Sequence, residues 1–182
     1  GVTVLEVADY VTGPYAGMLL GDLGADVIKI EKRRTGDPFR GFDPTHGGGY
    51  DPEFLALNRN KKSLTLDLKK PEALEIVYKL IAKSDIFVQN YRFGVAARIG
   101  LGYETLRKHN PKLIYASATG YGPHGDETAE PSFDHLGLAR SGIMNAAGEP
   151  DMPPLGIAGG IADQMGGVML AWGIMNALFA RE

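Results

Sequence analysis

The chain has no cysteine. That excludes a disulfide framework, a thiolate nucleophile and any cysteine metal site, and it is the usage expected of a cytoplasmic protein. Basic charge is not in excess either: 19 Lys and Arg stand against 22 Asp and Glu, a net charge of −3. Such a balance leaves no electrostatic footprint for nucleic acid or an anionic membrane surface, and neither is expected as a partner. Long apolar runs are missing too. The stretch around Trp172 falls short of the ~20 residues a membrane span needs and carries Asn176. Val2–Val7 is short and is followed by Asp9, which does not read as a signal peptide.

Three absent motifs narrow the chemistry. No G-x-G-x-x-G follows the first strand, so a dinucleotide site is not expected. No G-x-S-x-G is present, and no serine stands in a nucleophile context. The four histidines, His46, His109, His124 and His135, are scattered and lack H-E-x-x-H spacing. A bound metal is therefore not expected. His109, at a helix end before Pro111, reads as a C-terminal cap.

What is present is an alternation of strands and helices. Val2–Val7 is a short β-branched strand, and Pro14 opens a helix that Gly24 ends. Asp26–Ile30 is a second strand, and strand–helix–strand over so short a span favours a parallel sheet with a right-handed crossover. Further strands are expected at Leu64–Asp67, Ile86–Gln89 and Leu113–Ser117. Helices are expected over Glu72–Lys83, Val95–Ile99, Tyr103–His109 and Phe133–Ala147. Repeated alternation predicts an α/β fold, a doubly wound, mostly parallel sheet flanked by helices. The chain has room for one sizeable core. It starts on Gly1 and stops on Arg181-Glu182, so a piece of a longer protein is expected.

Two stretches carry chemistry. Glu31-Lys-Arg-Arg34 and the Gly/Pro-rich loop running to Pro52 put cations, Arg40 included, after a parallel strand. Open sheets bind ligands there, although a solvated loop reads equally well. The second stretch is Leu155–Met169, where Asp163 stands between Gly159/Gly160 and Gly166/Gly167, ahead of an apolar segment, Val168–Ala180, that reads as a buried helix. Glycines of this kind suit close ligand approach or amides aimed at a developing charge. Locally, capping the following helix is the favoured reading of Asp163, with attack on a substrate as the alternative. The polar Thr119–Pro131 stretch is a long surface loop of the kind that often carries function.

Several collinear stretches resemble the class III CoA-transferases, the formyl-CoA and crotonobetainyl-CoA transferase group. They are Gly13-Pro-Tyr-Ala16, Leu23–Glu31, Gly36-Asp37, Leu57–Lys69, Val88–Tyr91, Gly100-Leu-Gly-Tyr103, Asn110-Pro111 and Ile161-Ala-Asp163. Members of that family are about twice as long, which implies that residues 1–182 are an N-terminal CoA-binding and catalytic lobe. The resemblance implies coenzyme A as carrier, without a metal. It further implies an acyl-CoA and a small carboxylic acid as partners, and an interlocked homodimer. Position by position it makes Asp163 the nucleophile. Val11, Thr12, Lys32, Leu66, Lys69, Asn90 and Arg98 match CoA-contacting positions. Each has a structural alternative, Leu66 as core and Lys69 and Arg98 as solvated side chains; the resemblance favours contact for Arg98 and Lys32 and leaves Lys69 even. The related racemases carry His before Asp where this chain has Phe133-Asp134, which favours transfer over racemisation. A catalytically silent CoA-binding subunit is the remaining alternative.

Overall fold

The computed structural model describes residues 1–42 and 51–181. His46 and the rest of residues 43–50 in the Gly/Pro-rich loop lie outside the described residues. Along the chain run β1 (Thr3–Val7), α1 (Thr12–Asp22), β2 (Asp26–Lys32), a single 3-10 turn (Pro38–Gly41), α2 (Pro52–Asn58), β3 (Lys61–Leu66) and α3 (Pro71–Ile81). Then follow β4 (Ile86–Gln89), α4 (Val95–Arg98), α5 (Tyr103–His109), β5 (Ile114–Ser117), α6 (Asp134–Arg140), α7 (Ile143–Ala146) and α8 (Ile161–Arg181).

All five strands are parallel, in the order β3-β2-β1-β4-β5. The chain builds outward from β1 through β2 to β3, then returns to the other side of β1 for β4 and β5. Strand periodicity sends alternate side chains to opposite faces. Leu5, Val7 and Phe87 face one way and pack with Val77, Ile81 and Leu106 of α3 and α5. Val4, Val27, Ile86 and Val88 face the other, against Leu20 of α1 and Ile174 of α8. Both faces of the sheet are thus covered by helices, as an all-parallel sheet requires.

Four elements differ from expectation, each for a local reason. β3 starts at Lys61 rather than Leu64, because its ladder with β2 runs from Val27↔Lys61 to Lys32↔Leu66; the polar side chains of this edge strand hide the pattern. α2 was not anticipated; Asp51 caps it by accepting from the Glu53 amide, and Pro52 opens it. The helix expected over Phe133–Ala147 divides at Gly142, whose φ of 78° breaks the helical path. α8 begins at Ile161, ahead of Val168, and it is not a buried helix. Only Gly167, Ala171 and Ile174 are buried, while Met165, Met169, Trp172 and Phe179 face solvent. Among the described residues no helix is long and apolar enough to cross a membrane.

Candidate active site

In an open parallel sheet the loops after two strands part company where the strand order reverses, and a crevice opens at their carboxyl ends. Here that point lies between β1 and β4. A cavity of 1080 Å³ opens there, walled by residues 9–12 after β1, residues 89–94 after β4, parts of the 117–133 segment and the first turns of α8. Asp163 lies in its wall beside Gly166.

Asp163 occupies the first turn of α8 but is not the cap of that helix. Asp134, the first residue of α6, reaches across: its Oδ1 accepts from the amides of Ala162 at 2.7 Å and Asp163 at 3.1 Å. The orphan amides of the helix start are thereby satisfied by another residue, and the carboxylate of Asp163 is released toward the cavity. Oδ2 of Asp134 is buried without a hydrogen bond among the described residues. Burial raises the pKa of Asp163, the Asp134 charge raises it further, and the Thr12 side chain pulls it back. A raised pKa means a more basic oxygen, hence a better nucleophile than an ordinary Asp.

The flanking glycines divide into two kinds. Gly159 and Gly160 adopt φ of 97° and 67° in the approach to α8. Gly166 and Gly167 lie inside the helix, where amides are committed to intrahelical bonds. Those two are there for packing: a Cβ on Gly167 would stand 2.9 Å from the Thr12 carbonyl and 3.0 Å from Tyr15. They seat α8 on the start of α1. Of the two uses expected for these glycines, close approach and amides aimed at a developing charge, the second is not open to Gly166 and Gly167.

Of the eight residues named from sequence, Val11, Thr12, Asn90 and Asp163 line the one cavity. Asn90 also ties its walls together, accepting from the Asp9 amide at 3.0 Å and donating to the Asp9 carbonyl at 2.7 Å. Lys32 lies at the edge. It is 3.2 Å from Asp9, which lines the cavity, and it borders a second hollow of 300 Å³ with Glu31, Arg34 and Ser63. Leu66 packs against the core on the Leu5, Val7 and Phe87 face of the sheet. Lys69 and Arg98 are exposed and outside the cavity lining. Arg40 is not a loose cation of the loop; it holds Glu31 through Nε at 2.7 Å and lies over the Phe54 ring. Glu31 is held down at about 2: burial opposes its ionisation, but Arg40, Ser63 and the Asp37 amide overcome it.

Phe133 lines the cavity, whereas His135 does not; its ring lies beside Gly156. No imidazole therefore accompanies Asp163 among the described lining residues. His109 stacks on Tyr78, with ring centroids 4.2 Å apart. Among the described residues no group of His, Asp and Glu could hold a metal.

Sequence reasoning passed over one cluster. Glu6 of β1 and Lys29 of β2 stand opposite each other in the sheet register, 2.9 Å apart. Lys29 is also 2.9 Å from Asp37, and Lys61 of β3 is 2.9 Å from Glu6. All four side chains are sealed from water. Burial alone would lower the Lys29 pKa, but Glu6 and Asp37 hold it above the usual lysine value. Lys61 is pushed down to about 8 by burial, with Glu6 opposing and Lys29 assisting. The signal was in view: a charge in the middle of Val-Leu-Glu-Val and another in Val-Ile-Lys-Ile. Charges on a buried face of adjacent strands need each other.

The CoA-transferase family III pattern matches residues 1–182, and the chain belongs to that family. It is 40% identical over 183 residues to acetyl-CoA:oxalate CoA-transferase of Acetobacter aceti, covering 100% of this chain and 47% of that protein. It is 36% identical over 181 residues to succinyl-CoA:glutarate CoA-transferase of Homo sapiens, covering 100% of this chain and 41% of that protein. The chain spans about half the length of the curated relatives it matches. Among solved structures, a CAIB/BAIF family protein from Brucella suis superposes with a TM-score of 0.94 at 38% identity, over 100% of this chain and 49% of that one.

Proposed function

We propose that residues 1–182 form the N-terminal, CoA-binding and catalytic lobe of an enzyme that moves CoA from an acyl-CoA to a small carboxylic acid, with Asp163 as the nucleophile. A carboxylate oxygen of Asp163 attacks the thioester carbonyl; the C–S bond breaks and CoA leaves as thiolate, with an aspartyl–acyl anhydride formed. The thiolate attacks the aspartyl carbonyl, releasing the donor acid and leaving an aspartyl-CoA thioester. The acceptor carboxylate attacks that thioester, and the expelled thiolate then takes the acceptor acyl group from the second anhydride, restoring Asp163. Every step is acyl transfer between oxygen and sulfur, so no metal or redox partner is needed.

One observation carries this reading: the carboxylate, relieved of capping by Asp134, lies in the same cavity wall as Thr12 and Asn90. The named activities of the relatives support a small carboxylic acid as acceptor. For the intact protein we further propose a homodimer in the cytoplasm, with acceptor contacts drawn from the 119–131 loop and from the remainder of the chain. The full-length protein, incubated with an acyl-CoA and hydroxylamine, is expected to yield a hydroxamate at Asp163, found by peptide mass spectrometry. An unmodified Asp163 during turnover would overturn the assignment.

A further inference from the structure

The buried charges of Glu6, Lys29, Asp37 and Lys61 do more than satisfy one another. Three of them also bond the main chain that runs from the end of β1 into the first turn of α1. Lys29 donates to the Ala8 carbonyl at 2.6 Å, Asp37 accepts from the Tyr10 amide at 3.1 Å, and Lys61 donates to the Pro14 carbonyl at 2.7 Å. Both ends and the middle of residues 8–14 are thus held by groups that cannot reach water. Tyr10, at the middle, has φ of 65°, a left-handed conformation that a non-glycine residue keeps only where its surroundings over-determine it. Two residues on is Thr12, whose side chain acts on Asp163 and whose carbonyl takes the close approach of Gly167.

We propose that this buried quartet is a positioning device: through the main chain of residues 8–14 it sets Thr12 against Asp163, with Lys61 and Asp37 acting as positioning residues. The proposal rests on Asp163 being the nucleophile only for its consequence, not for its geometry. The four charges cancel in two pairs, which lets the anchoring be removed without stranding a charge. Gly17 confirms how tightly the quartet is fitted, since a Cβ there would fall 1.9 Å from Glu6 Oε2.

The test is Glu6→Gln/Lys61→Met in the full-length protein, which deletes one pair together with the bond to Pro14. Amide hydrogen exchange in residues 8–14 is expected to accelerate at least ~10-fold while β4 keeps its protection. Single-turnover acylation of Asp163 is expected to slow at least ~10-fold. Unchanged exchange in residues 8–14 overturns the proposal. So does wild-type acylation despite faster exchange, and so does a uniform rise in exchange over the whole sheet, the mark of a merely structural role. If the unaltered protein is never acylated at Asp163, the nucleophile assignment fails, and the exchange measurement alone decides the positioning claim. Should the double variant not fold, the unaltered protein decides: the Tyr10 amide must exchange more slowly than those of the exposed residues 124–127, and equal rates overturn the proposal.

Discussion

Asp134 and Asp163 meet through the main chain rather than through their side chains. The Asp134 carboxylate takes the Asp163 amide at 3.1 Å and leaves the Asp163 carboxylate unbound by its own helix. A second negative charge is thereby placed near the first, at the positive end of α8, where the helix dipole offsets part of the repulsion.

Removing the Asp134 charge while keeping its acceptor therefore separates two effects. Asp134→Asn still accepts from the two amides but relieves Asp163 of a neighbouring charge that raises its pKa. The acidic limb of the pH profile for Asp163 acylation is expected to move to lower pH. Asp134→Ala removes the cap as well and should cost about 1 kcal/mol of stability. Acylation rates against pH, with denaturant melts of both variants, make the comparison.

Asp163→Asn should abolish acyl transfer, by at least ~10³-fold in kcat, because the neighbouring carboxylate, Asp134, is outside the cavity lining. The same variant should be more stable at neutral pH. A carboxyl whose pKa is raised by folding contributes stability below its unfolded pKa and loses it as pH rises through the folded one. At neutral pH the ionised Asp163 is a cost, and Asn removes it. A thermal melt at pH 7 and at pH 4 reads the difference, which should shrink in acid.

Lys61 makes an alkaline prediction. Its pKa is about 8 in the folded protein against a reference value of 10.5, so between those limits the unfolded chain binds the extra proton. Stability from this group then rises with pH across about 8 to 10.5, with a slope of at most ~1.4 kcal/mol per pH unit. Lys29, held above its reference value, works the other way only beyond that window. Urea melts from pH 7.5 to 10 should show the rise in the unaltered protein and lose it in Glu6→Gln/Lys61→Met.

Gly167→Ala tests the seating of α8. The added methyl would meet the Thr12 carbonyl at 2.9 Å and Tyr15 at 3.0 Å, and backbone cannot swing aside as a flexible side chain does. Overpacking of this kind costs about 1–3 kcal/mol, and the displaced helix carries Asp163 with it. Acylation is expected to fall further than the loss of stability explains; Gly173→Ala, with open space around it, serves as control.

The sheet was readable because its inner strands are short β-branched runs bounded by Gly, Pro and Asp. Val4, Val27 and Ile86 announce themselves. β3 was less so, since Lys61, Lys62 and Ser63 look like a loop until β2 is set beside them. The site divides in the same way. Asp163 stood out by its glycine frame, Thr12 and Asn90 by family resemblance, and the three fall in one cavity; local sequence alone did not exclude either capping or chemistry at Asp163. Capping falls to Asp134, 29 residues away in the chain, which leaves the Asp163 carboxylate free for the role proposed for it. Lys29 and Lys61 would have counted as two more cations for a ligand; both are neutralised inside the fold, a fact that spacing along the chain does not carry.

The reversal of strand order beside β1 has a practical reach. The opening is created where neighbouring strands part, so its place in the molecule follows from the strand order rather than from the 119–131 loop. Under the proposed activity, a change of acceptor acid leaves the strands of the sheet untouched. Diversity belongs in residues 119–131, and a library confined to that segment would leave Asn90 holding Asp9 and the strands presenting Asp163 intact.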